Sequence, residues 1–190
     1  MKKEDIIALP NPHLRQKSLK VKSGESTKKL VADMIAATLD WEESRPHEVG
    51  AALAAVQVDH LKRVVIIRSD FDNKNSREFT ILLNPQIIKC EGEIISDHEG
   101  CLSVKDIYGL VPRYSKVKVK ALDLEGNEIR IKAEGFLARV LQHEIDHTNG
   151  VLFVDHIKNR EDAFFQLNTE GELKALDYEK VIAKNNILWD

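Results

Sequence analysis

EGFLARVLQHEIDHTNG, residues 134–150, is the stretch on which the reading of the fold turns. Its apolar side chains, Phe136, Leu137, Ala138, Val140, Leu141 and Ile145, cover more than one face of a 3.6-residue helix. A helix that is apolar on several faces belongs inside a fold, so it is expected to be central and buried. Asn149-Gly150 supplies a C-terminal cap signal. His143 and His147 stand four apart and so project from the same face, where they can grip one metal ion. Glu144 sits about 100° around the helix from His143 and about 60° from His147, at the border of that site, within reach of a water. The plainer reading is two satisfied core histidines. A buried glutamate beside them would then be costly without a positive partner, and the His-Glu-x-x-His string favours metal.

Working outward, KVKVKALDLEGNEIRIKA (116–133) predicts a hairpin. Val117, Val119 and Ala121 alternate with Lys116, Lys118 and Lys120, Ile129 and Ile131 alternate on the return, and Glu125-Gly126-Asn127 makes the turn. KRVVIIRS (62–69) and EFTILLNP (78–85) read as buried strands joined by the polar turn DFDNKNS. QIIKCEGEII reads as a strand pair broken near Glu91-Gly92. A helix is expected from Ser26 to Trp41, with Leu30, Val31, Met34, Ile35, Thr38 and Leu39 on its buried side and Arg45-Pro46 as its stop. Pro10 and Pro12 deny a helix to the arm over 10–24. GAALAAVQV (50–58) is small and apolar, suited to tight packing or to a ligand wall. FFQLNTEGELKAL (164–176) predicts a second hairpin about Glu170-Gly171. The expected fold class is α+β, with mostly antiparallel sheets packed around a central buried helix that carries the histidine motif. One domain is expected over 1–190, with an atypical hairpin and tail at about 160–190.

The length of 190 residues and a hydrophobic content of 43% suit one domain with a full core. A net charge of −3 gives no basic excess of the kind that marks direct nucleic-acid binding. No stretch approaches the roughly 18 apolar residues of a membrane span, and the first residues lack a signal-peptide run. A cytoplasmic protein of bacterial type with no membrane partner is expected.

A helix with two histidines leaves the third ligand open. A histidine three residues after Gly150 would suit one peptidase class, but that position is Phe153. Glu161, Glu170 and Glu172 lie in or near the predicted hairpin, and His156 lies in VLFVDHIK, which reads as extended. Cys101, in HEGCLSV, stands at a bend marked by Gly100 and Ser103, and a thiolate with two imidazoles leaves a coordination position free for catalysis. Cys90 reads as a small buried hydrophobe within a strand.

Three stretches in order, GAALAAVQ (50–57), EGCLS (99–103) and QHEIDH (142–147), resemble the peptide deformylases, and the likeness spans roughly residues 5–157. The resemblance implies Cys101, His143 and His147 as ligands of one divalent metal ion, Fe(II) in the cell, with Ni(II), Co(II) or Zn(II) as substitutes. It implies Glu144 as the catalytic carboxylate, and Gln57 with the Leu102 backbone N–H as donors to the formyl oxygen. Gly50, Ala51, Ala52 and Gly100 are the expected substrate-binding positions, and Glu99 with Arg113 a supporting ion pair. The implied reaction is hydrolysis of the formyl group from N-formylmethionyl nascent polypeptides, with formate released. Ala52 stands where the family usually has glycine, and Lys105 where it usually has proline. The tail does not read as the basic helix that docks many relatives on the ribosome, so ribosome association is not carried over. Two alternatives are a related metallo-amidase or peptidase with altered acyl specificity, and a non-catalytic metal-binding relative.

Overall fold

The computed structural model describes residues 1–45, 47–71, 73, 75–184, 188 and 189. The chain forms α1 (Glu25–Glu43), β1 (Ala52–Ala54), β2 (Val64–Arg68), β3 (Phe79–Cys101), β4 (Val104–Leu122), β5 (Glu128–Glu134), α2 (Gly135–Thr148), β6 (Phe164–Leu167) and β7 (Leu173–Ala175). The strands pair antiparallel, β1 to β2, β2 to β3, β3 to β4, and β4 to both β5 and β6, with β6 completing a hairpin with β7. This is an α+β fold with a mostly antiparallel sheet and few helices. Among the described residues no helix is long and apolar enough to cross a membrane.

Period-two patterning explains the sheet. Val117, Val119 and Ala121 are buried while the intervening lysines face outward, and Lys116, Lys118 and Lys120 pair there with Glu134, Glu91 and Glu128. All five residues of β2 are buried, as its β-branched run suggests. β3 differs from the expected broken pair: it is one strand of 23 residues running through Glu91-Gly92. Gly92 has φ of +77°, and the pairing register slips there between Glu91 and Ile94. One glycine of this kind makes a bulge that bends a strand without ending it. The long β3–β4 hairpin thus carries the chain from the core out to Cys101 and back. Cys90 is exposed on its outer part and is not the buried hydrophobe expected of it.

α1 buries Leu30, Val31, Met34, Ala37 and Thr38, with Ile35 and Leu39 partly covered. It ends at Glu43; Pro46, its expected stop, lies outside the described residues, as do Asp72 and Lys74 of the expected turn DFDNKNS. The N-terminal arm is less irregular than its prolines suggest, since Pro12–Arg15 form a 3-10 turn capped by Asn11. Proline is tolerated at a first helical position, where its missing N–H would have had no partner.

α2 packs against β4, β1 and β5 and buries Ala138, Leu141 and Ile145 with both histidines. Phe136 departs from the expected burial: it is 54% exposed, its ring edge-on to Phe71 at 4.9 Å. The first turn of the helix emerges beside the sheet, where a large ring can lie on the surface. His156 lies in a 3-10 turn, Phe153–Ile157, rather than an extended segment.

Candidate metal centre and cleft

Cys101 closes β3, while His143 and His147 sit one turn apart on α2. The docking of α2 on the hairpin brings the three together. Cys101 Sγ lies 3.3 Å from His147 Nε2, which lies 3.1 Å from His143 Nε2. The three ligand atoms all fall within 4.8 Å of one another. Among the described residues this is the one such group; Glu161, Glu170 and Glu172 are exposed elsewhere, and His156 instead contacts Asp146 at 2.7 Å. Phe153 stacks on the His143 ring at 6.2 Å.

One buried carboxylate organises the surroundings. Glu99 accepts from Arg113 through both oxygens (3.0 and 3.1 Å), from Arg139 at 2.7 Å, and contacts His143 Nδ1 at 2.9 Å. Both Glu99 and Arg113 are buried. Arg139 fixes its other donors on the carbonyls of Val111 and Ile95. Burial alone would raise the pKa of Glu99, but His143 and Arg113 outweigh it and hold the carboxyl well below its usual range. Burial would likewise lower that of His143; its contacts with Cys101 and Glu99 overcome this and raise it. His147 is pushed down by burial and by the neighbouring His143 and Arg113. With Nδ1 of His143 engaged by Glu99, its Nε2 is left to face the centre.

Glu144 is 4% exposed, and its Oε2 has no hydrogen-bond partner among the described residues. Burial pushes its pKa up to about 7. A carboxyl poised near neutrality suits proton transfer. Gln57 lies in the 3-10 turn after β1, where its Oε1 accepts from the Ala54 N–H at 2.9 Å. Its Nε2 reaches Ser103 Oγ at 3.2 Å and Cys101 Sγ at 3.5 Å. Leu102 follows Cys101 in the turn between β3 and β4.

These groups open on a cleft of about 310 Å³ lined by Ala51, Ala52, Gln57, Gly100, Leu102 and Glu144 among others. Gly100 lets the Tyr108 ring lie against its backbone; a Cβ there would stand 2.5 Å from the ring. Tyr108 in turn donates to Glu48 at 2.6 Å. Gly50 is set back from the cleft. Its N–H donates to Glu42 and its carbonyl accepts from Arg68, and these two side chains form a buried ion pair at 2.8 Å. That pair fastens the stretch leading to Ala51 and Ala52 between α1 and β2. Lys105 is exposed, and next to it Asp106 pairs with Arg45 at 2.8 Å. The tail reaches the cleft too: β6 pairs with β4 at Ile107–Gly109, and Phe165 lies edge-on to the cleft residue His98 at 4.6 Å.

Sequence reasoning gave no role to Arg139 or to Gln142 of QHEIDH, and read Ser103 only as the mark of a bend. Gln142 bonds the backbone of Tyr114 in both directions, at 3.1 and 2.8 Å, and so clamps α2 to β4. Arg139 precedes His143 by four residues, the spacing that puts both on one helix face, and that was its available signal.

The donor set fits a resident metal ion. A thiolate and two imidazoles converge, and Glu99 orients one imidazole from behind. Three protein ligands with a free position mark catalytic rather than structural sites, and the set suits several first-row metals.

A sequence profile of the Polypeptide deformylase family matches residues 3–163. A peptide deformylase of Thermomicrobium roseum is 41% identical over 159 residues, covering 82% of this chain and 86% of that protein. One from Brachyspira hyodysenteriae is 44% identical over 157 residues, 82% of each chain. Among solved structures, a peptide deformylase from Synechococcus elongatus in complex with actinonin superposes with a TM-score of 0.74 at 33% identity, over 82% of this chain and 80% of that one. A peptide deformylase from Legionella pneumophila gives 0.70 at 39% identity, over 80% and 83%.

Proposed function

The chain belongs to the polypeptide deformylase family, and from that premise we propose how its cleft carries out the reaction. It is a hydrolase that removes the N-terminal formyl group from formylmethionyl nascent peptides. Cys101, His143 and His147 hold one divalent ion, Fe(II) in the cell, with Ni(II), Co(II) or Zn(II) able to take its place. Such an ion, when bound, acidifies a water and polarises a carbonyl. Glu144 takes a proton from the water as its oxygen attacks the formyl carbon, then delivers that proton to the amine nitrogen as the C–N bond breaks and formate leaves. Gln57 Nε2 and the Leu102 N–H donate to the formyl oxygen as negative charge builds on it. Glu99, held by Arg113, fixes the His143 ring. Ala51, Ala52 and Gly100 border the substrate, and Gly50 holds their backbone in place from behind. Helix α2 is the central element of one catalytic domain over 1–190, the tail included, working in a bacterial-type cytoplasm.

The observation that carries this reading is Glu144. It is a buried carboxylate with an unpartnered oxygen beside the three ligands, and holding metal does not require it. That also counts against a non-catalytic metal-binding relative. Anaerobically Fe(II)-loaded protein is expected to release formate from formyl-Met-Ala peptides and to leave the acetyl counterparts intact. Cleavage of both would favour the broader amidase, for which the Ala52 methyl on the cleft wall is the argument. Cleavage of neither would overturn the reading.

A further inference from the structure

A second cavity, of about 460 Å³, shares no lining residue with the cleft. It lies between the N-terminal arm, the start of β2, β3 and the last turn of α2, and Lys17, Ser18, Lys20, Arg63 and Asn149 are on its walls. Arg63 is 7% exposed and spends its hydrogen bonds on neutral acceptors, the Pro85 carbonyl at 3.0 Å and Asn149 Oδ1 at 2.9 Å. Burial is the cause that lowers its pKa, and among the described residues no carboxylate opposes it. A buried cation without a counter-charge is costly. Lys17 and Lys20 are exposed at the rim, and among the described residues neither has an ion-pair partner. Ser18 is 5% exposed, and among the described residues its Oγ has no hydrogen-bond partner. The one acid on the wall, Asp146, is already engaged by Arg113 and His156.

We infer that this cavity binds a phosphate-type oxyanion, with Arg63 as its buried counter-charge, Ser18 Oγ as a donor at its floor, and Lys17 and Lys20 closing over it from the rim. Three cations and an unused hydroxyl match a compact dianion that accepts several charge-assisted hydrogen bonds. The same chemistry serves a free phosphate and a phosphate carried on a nucleic-acid chain.

The test titrates the metal-loaded full chain with sodium phosphate by calorimetry, at ionic strength held constant with chloride, and repeats the titration with a ten-nucleotide single-stranded RNA. One saturable phosphate site is expected. Lys17→Gln with Lys20→Gln should weaken it about tenfold, and Ser18→Ala about threefold. Deformylation kcat/KM should be unchanged in both, since none of these residues lies at the cleft. An RNA that binds more tightly than phosphate and loses that advantage in the double variant assigns the site to chain phosphate; otherwise it belongs to the free ion. Phosphate binding no stronger than chloride, or equally tight in the variants, overturns the inference. The second result would place the ion at the metal centre instead.

Discussion

At the residue scale, two buried carboxylates, one on β3 and one on α2, do opposite work. Glu99 is surrounded by cations and held ionised, whereas Glu144 is buried with one oxygen unpartnered and its pKa pushed to about 7. Glu144→Ala should therefore keep its metal and lose about 10²- to 10⁴-fold in turnover, read by formate release alongside metal analysis. A variant with near-normal turnover would show that the proton passes elsewhere. Glu99→Gln should leave Arg139 a buried cation without its carboxylate and Arg113 with Asp146 alone. A loss of about 3–5 kcal/mol is expected, visible as a lower urea midpoint with an unchanged slope. Much of this was readable in advance: the four-residue spacing of His143 and His147 and the bend around Cys101 pointed to residues that do converge. Glu99 as a shared hub was not readable, because its partners lie on two other elements, Arg113 on β4 and Arg139 with His143 on α2, and only packing gathers them around β3.

At the element scale, the sequence was most informative where one side of a strand is dry. Val117, Val119 and Ala121 alternate with lysines and so declare their faces. β3 was harder to read because from Gln86 to His98 it is mostly exposed, which removes the alternation, and its bulge at Gly92, one of several register shifts along the strand, imitates a turn. Phe136 and Cys90 misled for a related reason: an apolar residue type says little about burial where an element projects past its neighbours. The end of α2 is set more firmly. Gly150 has φ of +77°, and a Cβ there would lie 2.4 Å from the Arg15 carbonyl oxygen. Gly150→Ala should cost more than about 2 kcal/mol and lower the melting temperature, combining a left-handed backbone with a clash that a rigid carbonyl cannot relieve. An unchanged melting temperature would mean that the arm yields freely.

For the whole molecule, the proposed ligands join the tip of the β3–β4 hairpin to α2. A metal ion there would tie together elements otherwise joined by the Gln142–Tyr114 clamp and the Glu99 network. Anything that binds the folded chain and not the unfolded one stabilises it by mass action. Dialysis against a chelator should accordingly lower the melting temperature, and added Ni(II) or Co(II) should restore it. Cys101→Ala should abolish that restoration, and full restoration in the variant would remove Cys101 from the ligand set.

The pairing of β2 with β3, β3 with β4 and β4 with β5 follows chain order, each strand joined to the next by a short connection. Contacts of that kind close small loops and form early, whereas α2 must pack back across a meander that already exists. The histidines would then meet Cys101 late, after the rate-limiting step. Substitutions on the ligand face of α2 should speed unfolding while leaving the refolding rate nearly unchanged, and stopped-flow chevrons of His147→Ala would show it in the unfolding arm. The ion would govern how long the native state lasts, with little influence on how quickly it is reached.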